Sequence, residues 1–213
     1  MITNKATVLD NLPFTIEPER VLREMRVPKI KTIEEIEEKP LAEAVKGAID
    51  KAYGLIHGRG VFTTFRLNGV DGNTILSDEA GGLFKGANMV KLLSECDFAT
   101  LMAATIGPDL ENEVERIQKK GELTDAYALE MVGGWMADYM ADKVDEFVER
   151  AVEKAGYRRT MRFSPGYGDW SLDNQPETIR LSQAGKIGIT LTQTNIMMPR
   201  KSVSAVIGWE RKN

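Results

Sequence analysis

Residues 97–107, D-F-A-T-L-M-A-A-T-I-G, constrain the fold more than any other stretch. Apolar and small side chains follow one another without the alternation of a half-exposed strand, and Gly107-Pro108 ends the run before a helix of ordinary length is complete. A strand of this kind is covered on both faces, so the chain must supply a sheet with a packing layer on each side. One layer comes from the segment that starts at Thr124. Ala128, Met131, Val132, Trp135, Met136, Tyr139, Val144, Phe147 and Ala151 recur at helical spacing, which predicts a helix capped by Thr124 and running to about Lys154. Gly133-Gly134 falls in its middle, where each glycine costs roughly 1 kcal/mol against alanine. A kink, a ligand or a neighbouring element that comes very close explains such a pair, and close packing is the favoured reading.

The rest of the chain alternates helices and strands. Residues 6–12 can form a short strand, and 17–25 a short helix with Pro18 in its first turn and Pro28 beyond its end. Thr32 opens an acidic turn with a glutamate three residues on. Leu41, Ala44, Val45, Ala48, Ile49 and Ala52 make an amphipathic helix of 40–53. Residues 61–67 alternate as a strand, Asn68-Gly69 and Asp71-Gly72 signal turns, and 73–76 reads as the returning strand. Further helices are expected near 87–93, from Pro108 at a first helical position to before Gly121, and from a cap at Asp173 or Asn174 to Ser182. Strands are expected over 157–163, 186–191 and 203–209.

Several function classes are excluded. The 28 Lys and Arg are dispersed among 32 Asp and Glu, so no basic stripe exists to bind nucleic acid. The lone Cys96 rules out a disulfide framework and cysteine-ligated zinc or iron–sulfur sites within one chain, and it suits the cytoplasm. No run suits a membrane helix, and the first residues lack the apolar segment of a signal peptide. The lone His57, in I-H-G-R-G, is a base, a cobalt ligand or a plain loop residue. With no G-x-S-x-G elbow and one histidine, a hydrolase triad is a poor reading. No catalytic residue and no metal ligand is assigned.

The loop 162–170, R-F-S-P-G-Y-G-D-W, has the chemistry of a ligand site. Pro165 fixes its own φ and biases Ser164 to extended backbone. Gly166 and Gly168 flank Tyr167 and allow positive φ there. Arg162 offers a planar fork of donors to a carboxylate, and Tyr167 an apolar face with a polar tip. Such a set can hold a small zwitterion with an aromatic part. The same residues also make an ordinary connection with a solvated arginine.

Arg162-x-x-x-Gly166-Tyr167, then I-G-I-T-L-T, then Met198-Pro199-x-x-Ser202-Val203-Ser204 resemble, in order and spacing, the activation domain of cobalamin-dependent methionine synthase. The match is close over 162–208, weaker back through 123–153, and absent from the first hundred residues. The resemblance implies an α+β fold, a bent antiparallel β-sheet with flanking helices. It implies a single domain over 1–213, with an N-terminal helical part at 1–60 and a sheet-bearing core at 61–213 that includes the ligand loop 162–170. It also implies that S-adenosylmethionine is bound. Arg162 would take the carboxylate, backbone groups around Ser164, Gly166 and Gly168 the polar edges, and Tyr167 would lie near the sulfonium. Ser202 and Ser204 match the family strand and read as support for the sheet.

In that family the methyl group is presented to a cobalamin held by a neighbouring module. An electron from a flavodoxin-like donor is pulled forward by irreversible methylation of the cobalt. The present sequence has no Asp-x-His-x-x-Gly cobalamin signature, so the corrinoid belongs to a partner. The partner implied is a corrinoid protein of a methyltransferase, or a methionine synthase lacking its own activation domain, served by a flavodoxin- or ferredoxin-like electron donor. Two family features are missing. A helix glutamate that faces the ligand falls on Gly134 here, with Glu130 and Asp138 one turn away on either side, and a family tyrosine beyond the last strand has no counterpart before Asn213. These departures motivate a second reading, a non-catalytic corrinoid-protein interaction module that has lost S-adenosylmethionine binding.

Overall fold

The computed structural model describes residues 5–26 and 30–212. Pro28, expected to end the first helix, lies outside the described residues. In chain order the elements are β1 (Thr7–Leu9), α1 (Pro18–Glu24), α2 (Lys39–Leu55), β2 (Arg59–Arg66), β3 (Val70–Asp71), β4 (Thr74–Ile75), α3 (Ala87–Leu93), β5 (Cys96–Thr105), α4 (Asp109–Lys119), α5 (Leu123–Lys154), β6 (Tyr157–Arg159), α6 (Gln175–Ser182), β7 (Thr190–Leu191), β8 (Met197–Met198) and β9 (Ser202–Arg211).

Five strands form one curled antiparallel sheet in the order β1-β2-β5-β9-β6. The apolar run lies at its centre. β5 pairs with β2 from Arg59↔Thr105 to Arg66↔Phe98, and with β9 from Cys96↔Glu210 to Thr105↔Ser202. Met102 and Ala104 enter a core made with α2, α4 and α5. Ala99 and Leu101 enter a second core with Phe84, Met89 and Trp170 on the opposite face. Both faces of β5 are therefore covered, as an unbroken apolar strand requires. β9 repeats the pattern, with Ala205, Ile207 and Trp209 on the helical side and Val206 on the other.

α5 is the main helical layer. Ala128, Leu129, Val132, Met136, Met140, Val144, Val148 and Val152 are buried along it. Each large member contributes about 1.5–3 kcal/mol, so this stripe dominates the docking of the helix. A Cβ on Gly133 would stand 2.5 Å from Leu110 Cδ2 of α4, whereas one on Gly134 would come no nearer than 3.9 Å, to Lys201 Nζ. Packing accounts for the first glycine of the pair. Glu122 occupies the cap position and makes no side-chain cap bond. Thr124 therefore lies inside the first turn rather than capping it.

Local turn chemistry overrides some sequence patterns. Residues 73–76 do not return onto β2. The Asp71-Gly72 turn, with Gly72 at φ +55°, closes a small β3–β4 hairpin, and β2 pairs instead with β5. The alternation over 186–191 predicts a strand, but Gln183 and Gly188 both adopt positive φ and wind Ala184–Ile187 into a 3-10 turn. Only Thr190–Leu191 extends, against Met197–Met198. The strand expected over 157–163 stops at Arg159. The Thr160 hydroxyl accepts the Gly208 N–H, and Phe163 returns to the sheet as a single bridge to Val206. The turn opened by Thr32 is a short 3-10 turn, Ile33–Glu35, and Thr32 makes no side-chain cap bond there. Among the described residues no helix is long and apolar enough to cross a membrane.

Candidate functional site

The break between β6 and Phe163 starts the loop 162–170, and both ends of that loop are fixed. Phe163 exchanges backbone hydrogen bonds with Val206 at 3.0 and 2.8 Å. Trp170 is fully buried, and its indole N–H donates to the Leu83 carbonyl at 3.0 Å. Asp169 accepts the N–H groups of Ala87 and Asn88, free donors at the start of α3, at 2.6 and 3.2 Å. Gly168 takes φ +54°, and a Cβ there would strike Asn88 Nδ2 at 2.2 Å. Gly166 takes φ +93° and donates its N–H to the Trp170 carbonyl at 2.7 Å. The loop is thus fastened to α3 on one side, and Tyr167 is left 69% exposed on the other.

A cleft of about 440 Å³ opens beside Tyr167. Arg162, Ser164 and Tyr167 line it; Gly166 and Gly168 are not among its lining residues and act on the loop's shape. α5 contributes Asp138, α6 contributes Gln175, and the segment before β9 contributes Arg200. Gln175 donates to the Ser204 hydroxyl at 2.8 Å. The Ser202 hydroxyl donates to the Pro199 carbonyl at 2.7 Å, just after a cis Met198-Pro199 bond, and lies 2.9 Å from the Thr105 hydroxyl. Both serines of the Pro-x-x-Ser-Val-Ser segment are thus fasteners that also line the cleft. The Arg200 N–H donates to Glu111 Oε2 at 2.9 Å, which fixes the far wall against α4.

Arg162 is the most unusual side chain here. It is 26% exposed, and its Nη2 forms an ion pair with Asp142 Oδ1 at 2.7 Å. Its Nη1 is buried and has no hydrogen-bond partner among the described residues. A buried donor left unmade costs about 1–3 kcal/mol, and more when charged. Asp138, one helical turn from Asp142, has its carboxyl pushed above the ordinary value, chiefly by burial, against the pull of Arg162. Asp145 is also raised by burial, with Arg159 pulling it down. It lies 3.5 Å from Arg159 Nη1, whose Nε is 3.1 Å from Glu149. Asp138, Asp142, Asp145 and Glu149 follow helical spacing and meet two arginines from β6 and the loop after it.

The helix acid missing at Gly134 is illuminated by its surroundings. Lys201 lies there and pairs with Glu130 Oε1 at 2.6 Å, while Glu130 Oε2 is buried without a hydrogen-bond partner among the described residues, and Glu130 does not line the cleft. Asp138 is the neighbouring acid that reaches the cleft. Two other singled-out residues lie apart from it. His57 pairs with Asp109 at 3.1 Å in an exposed position. Cys96 is buried, and burial pushes its thiol up to about 12, which suits a structural role. Gln175 and Arg200 come to the site only through the tertiary fold. The segment 195–199 reads in the sequence as methionine core filler beside the loop, whereas Asn195, Ile196 and Met197 line the cleft.

No protein-family model matches the sequence, and no curated protein matches it. Among solved structures the fold is similar to a crystal structure of the MetH reactivation domain bound to AdoHcy. The TM-score is 0.69 at 16% identity, over 98% of this chain and 79% of that one. At that identity the likeness shows the fold alone, and it is the fold that the three motifs imply.

Proposed function

We propose that the cleft binds S-adenosylmethionine and that this chain serves the reductive reactivation of a corrinoid methyltransferase, with the corrinoid held by a separate protein. The observation that carries this reading is Arg162, whose buried Nη1 has no partner among the described residues and whose side chain lines a cleft together with Asp138 and the exposed Tyr167. An amino-acid end presents a carboxylate and an ammonium, the two groups that Arg162 and Asp138 complement. Tyr167 offers its ring face to a sulfonium. The cleft volume falls in the range of small-molecule sites. Likeness to a domain solved with AdoHcy supports the same ligand class.

The protein's own residues bind and orient. Arg162 takes the ligand carboxylate and Asp138 its ammonium. Ser164 and the backbone carbonyls of the loop take polar edges, since the Gly166 N–H is already committed to Trp170. When bound, the sulfonium supplies a methyl group to a reduced corrinoid of the partner, and S-adenosylhomocysteine is left behind. The exposed apolar side chains Tyr167, Leu172, Ile196 and Met198 at and beside the cleft offer that partner a contact surface. The partner is a corrinoid protein or a methionine synthase without its own activation domain, and a flavodoxin- or ferredoxin-like protein delivers the electron.

Calorimetric titration with S-adenosylmethionine and S-adenosylhomocysteine tests the site, and saturable heat is expected with both. Methyl-labelled S-adenosylmethionine mixed with a corrinoid protein and a reductant is expected to pass its label to the corrinoid. Absence of heat with both ligands overturns the reading. One observation favours the interaction-module alternative: beside Gly134 the helix meets Lys201, a cation, where the family has an acid. Corrinoid-protein binding that needs neither S-adenosylmethionine nor an intact Gly166-Tyr167 selects that alternative.

A further inference from the structure

We infer that Asp142 is a positioning residue for ligand recognition: it holds one edge of the Arg162 guanidinium, so that Nη1 stays free for a carboxylate and Asp138 stays free for an ammonium group. The inference deepens the proposed function and rests on it. Asp142 Oδ1 lies 2.7 Å from Arg162 Nη2, while Nη1 is buried without a partner among the described residues. Asp138, one turn earlier on α5, lines the cleft and makes no ion pair among the described residues, although it feels the Arg162 charge. Asp145 feels the same charge from one turn further on, and Arg159 and Glu149 complete the series beyond it.

Asp142 decides which acid the guanidinium joins. Without it, Arg162 is free to fall onto Asp138. That pairing would consume the anion meant for the ammonium and the donor meant for the carboxylate in one step. Asp142 is 65% exposed, so water and salt screen its charge and it competes weakly with a ligand carboxylate. Its contribution is direction. It fixes a long, rotamer-rich side chain before the ligand arrives, so less freedom is lost on binding.

The experiment titrates the full chain with S-adenosylhomocysteine and with 5′-methylthioadenosine, the same nucleoside thioether without the amino-acid end. Asp142→Asn is expected to weaken S-adenosylhomocysteine roughly tenfold and leave methylthioadenosine unchanged. The same change in an Arg162→Ala background is expected to have no further effect, and Asp142→Glu to keep most of the wild-type affinity. Equal losses for both ligands, additive losses in the double variant, or S-adenosylhomocysteine binding that is unchanged or tighter in Asp142→Asn overturns the inference and leaves the site in place. Wild-type protein that binds neither ligand, or binds both equally, overturns the functional reading and the inference with it.

Discussion

Two of the clusters of acids and arginines among the described residues differ in how completely their hydrogen bonds are met. In the first, where β5 begins and β9 ends, Asp97 accepts Nε and Nη2 of Arg211, each at 2.7 Å, and the Tyr157 hydroxyl at 2.9 Å. Arg158 closes on Glu210 beside it. The Arg211 hydrogen bonds hold the Asp97 carboxyl below its ordinary value. In the second, on α5 beside the cleft, Asp138 and Asp145 are pushed the other way by burial. Arg162 Nη1 and Asp145 Oδ1 have no hydrogen-bond partner among the described residues. The first cluster is complete in itself and fastens strand ends. The second keeps unmet buried groups in place because α5 and the loop hold them there, and the proposed ligand site rests on that difference.

The largest expected effect separates the clusters by ligand binding. Arg162→Ala removes the unpartnered donor, and S-adenosylhomocysteine affinity should fall about 100-fold. That is on the order of 2–3 kcal/mol, the range for hydrogen bonds to a charged group. Arg211→Ala should leave that affinity unchanged and show itself as a lower melting temperature. Calorimetry on both variants checks this, and equal losses of affinity would erase the distinction between the clusters.

A smaller effect tests α5, the helix that carries the open cluster. Gly133→Ala would press a methyl group onto the buried Leu110 of α4, an overpacking worth about 1–3 kcal/mol less roughly 1 kcal/mol of helix propensity. Gly134→Ala meets only the Lys201 ammonium at 3.9 Å and should stabilise the protein by about that propensity. Urea unfolding of the two variants should therefore move in opposite directions. The difference also shows what the sequence could and could not tell. The double glycine signals close packing, but not which member is needed, because the answer lies in Leu110, on another helix.

The same division holds across the chain. The apolar composition of β5 alone demands cover on both faces, so the centre of the sheet is legible. The loop 162–170 is legible because proline and glycine act on their own backbone. Residues 186–191 are not, since the left-handed turns at Gln183 and Gly188 override their alternation. In the site, Arg162, Ser164 and Tyr167 could be named from one short stretch. Arg200 could not, because its place depends on Glu111, 89 residues away. That Asp138 and not Glu130 lines the cleft is likewise tertiary, since Glu130 Oε1 pairs instead with Lys201, 71 residues away.

The smallest effect sharpens the comparison through pH, because the two clusters should respond with opposite sign. The folded Asp97 carboxyl lies below its ordinary value of 3.8, so the stability it contributes is present above that pH and is lost as pH falls through the folded value. Asp145 and Asp138 lie above the same ordinary value, so the folded state prefers their protonated forms. The stability they contribute is present below it and is lost as pH rises through their folded values. Urea unfolding at several pH values from about 3 to 7 reads each contribution as a difference from wild type. Relative to wild type, Asp97→Asn should fare worse as pH rises from the acid end. Asp145→Asn should fare better as pH rises above about 4, because it removes an ionisation that the buried site resists. Slopes of the same sign would mean that burial at α5 does not outweigh Arg159 and Arg162. The second cluster would then be as complete electrostatically as the first, and the unmet hydrogen-bonding atoms of Arg162, Arg159 and Asp145 would stand as the remaining difference.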